Sequence, residues 1–163
     1  MTKLDSKCSI PFFLCIFASD MNRIEYWIKA QTQYRVHSPF VFDMYRKVLF
    51  APLDTTCQRR MEQLLPHPIA DRRDRPYHEI IFKLCDHYHL QMVCYDDDEA
   101  VLQGDPCTFG TLKVVCRPHR CHARELRWTA QQGNTKYNVS IDLYDVGLLL
   151  SHPKLHSQHF LLK

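Results

Sequence analysis

A chain of 163 residues has the length of one domain, and 45% hydrophobic residues suffice to bury a core. A formal net charge of +3, with acids interleaved among the bases, excludes an extended nucleic-acid track, and no basic-aromatic interleaving of the kind that grips single strands occurs. Eight cysteines without a CxxC read as free thiols rather than a disulfide framework, so a reducing, cytoplasmic setting is expected.

In chain order, Lys3 and Lys7 precede an apolar run over residues 10–18, the layout of a signal peptide's charged and apolar regions. The run is too short to span a membrane, Pro11 interrupts it, and no small-x-small cleavage site follows. Two readings of residues 1–20 stay open: an export or anchoring segment, or an extension upstream of a start at Met21. No other stretch is a membrane-span candidate.

Residues 22–34 predict a first helix, with Ile24, Trp27, Ile28 and Gln31 on its inner face. The second follows His37-Ser38-Pro39-Phe40: Ser38 is a natural N-cap and Pro39 suits the first helical position. Behind them Val41, Phe42, Tyr45, Val48 and Leu49 recur at helical spacing. A third helix, capped by Asp54 or Thr55, runs until Pro66. The charged residues 67–75 form a solvated linker, so residues 21–66 are expected to be a helical cap and residues 76–163 an α/β domain. A fourth helix starts at Asp74 and Pro76, with Ile80, Ile81, Leu84, Cys85 and Tyr88 inward.

Residues 90–95 then read as a buried strand ending in Asp96-Asp97-Asp98-Glu99. Glycine introduces a second strand at residues 110–116, and residues 123–132 form a helix stopped by Gly133. Residues 137–144 alternate as a strand with Val139, Ile141 and Leu143 inward; Asp142 is either partly buried and hydrogen-bonded or outward-facing, and the alternation favours outward. Residues 148–150 and 160–162 complete an α/β sheet with parallel members and a terminal hairpin.

Several groups invite chemistry. His37 is either a histidine that fixes the chain's entry into a helix or a pocket residue. Cys116, His119, Cys121 and His122 have zinc-ligand chemistry, but so tight a cluster does not readily supply a tetrahedron, and no metal site is assigned. The acids at 96–99 are either solvated or a cation site. The chain has only four glycines and contains no GxGxxG, P-loop or GxSxG.

The string Tyr34-Arg35-Val36-His37-Ser38-Pro39-Phe40-Val41-Phe42-Asp43, after the helix at residues 24–30, resembles the N-terminal segment of a group of bacterial class I S-adenosylmethionine-dependent methyltransferases. Residues 76–84 resemble the helix before their first sheet strand, and the resemblance resumes over residues 110–120 with Trp128. Residues 139–150 are similar to their closing strand pair. The resemblance implies a helical N-terminal cap on a shortened Rossmann-like sheet, S-adenosylmethionine as cofactor if the protein is active, and a candidate pocket at His37, Ser38 and Phe40; in an active protein with an altered cofactor site, Asp96 or Asp97 would hold the ribose. Two parts of the family pattern are missing. No glycine follows residues 91–95 until Gly104, and the helix–strand units that carry the family's ribose acid have no counterpart. The expectation is a degenerate methyltransferase-like protein without catalysis, acting through a protein or small-molecule partner. The alternatives are an active methyltransferase with an altered cofactor site and a metal-binding module.

Overall fold

The structure, a computed structural model, describes residues 23–32, 35–64, 71–106 and 110–163. The segment at 1–20, Tyr34 and residues 67–70 of the charged linker lie outside the described residues.

Helix α1 covers residues 23–29. Ser38 caps α2 (Pro39–Met44), accepting from the Val41 N–H, and Pro39 opens it. The helix widens into a π-turn at Tyr45–Leu49, where the Phe50 N–H donates to the Tyr45 carbonyl. Helix α3 spans Thr55–Leu64 and α4 spans Arg75–Tyr88, which ends on His89 in the left-handed conformation. Among the described residues no helix is long and apolar enough to cross a membrane.

The sheet is six-stranded, mixed and open, giving an α/β architecture. Its strands are β1 (Gln91–Tyr95), β2 (Glu99–Gln103), β3 (Thr111–Cys116), β4 (Val139–Asp142), β5 (Val146–Leu150) and β6 (Gln158–Leu161). Their spatial order is β1-β2-β3-β5-β4-β6. Strands β1 to β3 form an antiparallel meander. Helix α5 (His122–Gln132) then carries the chain to β4, and β5 returns antiparallel between β3 and β4. Strands β3 and β4 therefore share a direction, and β6 adds in parallel on the far side of β4.

The register decides which face is dry. Ala100, Leu102, Leu112, Val114, Cys116, Val146, Leu148, Leu150, Val139 and Ile141 pair across neighbouring strands and point to one face. Against it pack Val41, Met44, Val48, Tyr77, Ile81 and Leu84 from α2, the π-turn and α4. Cap helices and sheet thus share one core. Helix α5 covers the opposite face over β4 and β5, where Trp128 lies on Gly147. Over β2 and β3 that face is half-exposed and carries the Lys113–Glu99 ion pair at 2.7 Å.

Four sequence expectations change. Strand β1 is an exposed edge rather than a buried strand, because among the described residues no further strand pairs beyond it. The acids at 96–98 form a hairpin turn, and Glu99 opens the unforeseen strand β2. Helix α1 turns Tyr26 and Ala30 inward and leaves Ile24, Trp27 and Ile28 exposed. The helix also stops early, since Gln31 is drawn into a parallel bridge with Leu162.

Candidate functional site

Strands β1, β3 and β4 all end at the same edge of the sheet, where the chain supplies its charged loops. In sheets with parallel members ligands sit at the carboxyl ends of the strands. Here that edge carries the Asp96–Asp98 turn, the residues after β3 and the turn after β4.

The centre of this edge is His119. Its Nε2 lies 2.7 Å from Asp142 Oδ2, and its Nδ1 lies 3.7 Å from Glu125. Asp142 is only 3% exposed. The same Oδ2 accepts from Trp128 Nε1 at 2.8 Å, and Oδ1 accepts from the Tyr144 N–H at 2.9 Å. A buried carboxylate needs such donors to offset its lost hydration. Asp142 thus takes the buried, hydrogen-bonded alternative and not the outward one that strand alternation favours. Strand β4 is buried on both faces, so the face away from the main core is also covered by α5 and has room for a satisfied acid. Burial works to lower the His119 pKa, but the Asp142 hydrogen bond and charge, helped by Glu125, outweigh it, and the pKa is raised. The ring stacks on Tyr144 with centroids 5.4 Å apart and meets Tyr26 at 5.8 Å.

His119 stands between two clefts. One, of about 160 Å³, lies towards Glu25, Lys29 and Glu125. The other, of about 270 Å³, is lined by Arg23, Arg73, Arg117, Arg120 and Tyr144. Two residues on its wall, Arg117 (φ 43°) and Tyr144 (φ 69°), have left-handed backbones despite their side chains. The Arg117 N–H donates to the Asp145 carbonyl at 2.8 Å and locks the two turns together. Strain of this kind persists only where the surroundings enforce it.

The residues singled out from sequence fall in separate places. His37 is exposed, Ser38 is taken up as the α2 cap, and Phe40 packs on His152 with centroids 4.7 Å apart. His152 follows β5, beside the start of β3, where the Ser151 N–H donates to Thr111. Asp96 and Asp97 lie at the end of β1, beside the end of β3, where the Cys116 N–H donates to the Asp98 carbonyl. The two candidate groups are thus separated by the length of β3, roughly 16 Å at the strand rise. The Asp96 carboxylate accepts from the Asp98 and Glu99 N–H groups at 2.7 Å each, and Asp98 pairs with Arg124.

The zinc-like quartet diverges. Cys116 points into the main core, 3.4 Å from Asp74 Oδ1, and burial, with Asp74, pushes its thiol up to about 12. His119 turns the other way, to Asp142, while Cys121 and His122 are exposed. Among the described residues no group of three or more metal-type side chains converges.

The sequence reading missed the His119–Asp142–Trp128 unit and the arginine cleft. Arg72 and Arg73 read as linker, and residues 117–120 as a strand breaker. The usable signal was Gly147 opposite Asp142 in a hairpin, which makes room for a large side chain. No protein-family model, curated protein or solved structure matches the chain.

Proposed function

We propose that the chain is a methyltransferase-like protein that no longer transfers methyl groups and works by binding a partner. The observation that carries this reading is the junction after β1. A Rossmann-type cofactor loop leaves its strand, approaches the nucleotide through glycine and enters a helix whose N-terminus faces the ligand. Here the chain turns back at Asp96 into the antiparallel β2, and the Asp96 carboxylate is engaged by its own turn. Neither a glycine backbone nor a helix N-terminus meets a cofactor at this point.

The C-terminal half supports the methyltransferase side of the reading. The segment similar to the family's closing strand pair folds as the β4–β5 hairpin, and α5 links the like-directed β3 and β4. The test is calorimetry with S-adenosylmethionine and S-adenosylhomocysteine. No binding heat is expected for either at millimolar ligand. A micromolar Kd for either would overturn the proposal, and loss of that binding in Asp97→Ala would identify an altered but working cofactor site.

A further inference from the structure

We propose that the cleft beside His119 is a binding site for a small phosphorylated molecule. The proposal does not depend on any methyltransferase ancestry. It rests on how four guanidinium groups divide their work. Arg117 is committed to protein: its Nε lies 2.7 Å from Asp74 Oδ1 and its Nη1 3.0 Å from Asp71 Oδ2. Arg23 is held at 3.2 Å by Asp145 and lies over the Tyr144 ring at 5.1 Å. Arg73 and Arg120 have no ion pair or side-chain hydrogen bond among the described residues, although both line the same cleft.

The ion pairs around the cleft go to Arg23 and Arg117, which leaves Arg73 and Arg120 as the guanidinium groups without one, and the four arginines outnumber Asp71, Asp74 and Asp145 by one charge. Two unpaired guanidinium groups match the two negative charges of a phosphate monoester. Arginine's planar fork can also donate two parallel hydrogen bonds to phosphate oxygens. His119, stacked on Tyr144 at the cleft wall, is engaged by Asp142 through Nε2 and has Nδ1 3.7 Å from Glu125, so it adds positive charge to the wall only as the protonated ring.

The cleft is built, not incidental. Arg73 is placed by the 3-10 turn Arg72–Asp74, whose Asp71 cap accepts from the Arg73 N–H at 2.9 Å. Arg117 ties that turn to the end of β3, and the Arg120 N–H donates back to the Arg117 carbonyl at 3.1 Å. A volume of about 270 Å³ holds a phosphate group with a short carbon skeleton and is too small for a polymer.

The experiment is calorimetry of the whole chain at low salt with inorganic phosphate, ribose 5-phosphate and citrate. The variants are Arg73→Ala/Arg120→Ala and the charge reversal Arg120→Glu. Both positions are exposed, and an unchanged Tm verifies folding. Ribose 5-phosphate is expected to bind with a Kd below about 1 mM, with at least tenfold weakening in the double variant and no heat in the reversal. Absence of heat with both phosphates, equal affinity in the folded double variant, or tighter binding of citrate than of ribose 5-phosphate would each overturn the assignment. None of these ligands bears on S-adenosylmethionine binding, so the two proposals fail separately.

Discussion

Asp142 shows how one side chain can unite several elements. It stands on β4 and binds Trp128 of α5, His119 of the loop after β3 and the backbone of the turn before β5. Asp142→Ala removes the acceptor for all three and leaves a buried indole N–H unpaired, so urea unfolding should show a loss of about 3 kcal/mol. A loss no larger than that of an ordinary surface change would show that the carboxylate is not the tie. His119 adds a pH dependence with a definite sign. Its pKa is raised on folding, so the folded state holds the proton more tightly. That contribution is complete below the unfolded value near 6.5 and is lost as pH rises through the folded value. His78 works in the opposite sense, since burial lowers its pKa against the pull of Asp74 and Asp97. The measurement is therefore the stability difference between wild type and His119→Gln at pH 6 and pH 8, and the wild-type advantage should shrink at pH 8. An advantage that grew with pH would contradict the raised pKa. The local capping physics at Ser38 and Pro39 was legible because it depends on neighbours in sequence. The choice between a buried and an outward Asp142 was not, because two of its three donors, His119 and Trp128, come from elsewhere in the chain.

At the scale of elements, Gly147 is where β5 and α5 fit together. A Cβ at this position would lie 2.6 Å from the Trp128 ring, and that ring is held in place by its hydrogen bond to Asp142. Gly147→Ala should therefore cost about 1–3 kcal/mol and alter the tryptophan emission. Full wild-type stability with unchanged emission would mean that the ring moves aside freely. Most helices could be read from period and caps, β3 from its β-branched run, β4 from alternation and β5 from its leucines. Strand β2 was hidden because Glu99 belongs by composition to an acidic run, although Ala100 and Leu102 already alternate with Val101 and Gln103. The rotation of α1 was misjudged for another reason. Its apolar stripe is Ile24, Trp27 and Ile28, yet Tyr26 faces inward because its hydroxyl finds two carbonyls, those of Asp142 and Leu162, at 2.6 and 2.8 Å. A hydrophobic period reports a stripe but not a hydrogen-bonding partner far along the chain.

At the scale of the molecule, the sheet is open at β1. The strand is uncharged, Met92 and Val93 are exposed, and a bulge between Met92 and Cys94 interrupts its register. Such an edge invites pairing with another chain. Val93→Lys should keep the Tm and abolish any concentration-dependent shift in size-exclusion elution. Identical behaviour of the two proteins across a range of concentrations would show that the edge does not self-associate. The opposite flank of the sheet is fastened by contacts of very long range: Tyr26 reaches Leu162 across 136 residues, and Tyr45 donates to the Lys163 carbonyl. During synthesis the acceptor at Leu162 appears only after that many further residues have been joined. At about 5–20 residues per second this delay is roughly 7–27 s. For that interval α1 has made its tyrosine and its tryptophan but has no finished sheet edge to lie on. The nascent chain thus carries an aromatic helix without the edge it docks on until Leu162 has been joined.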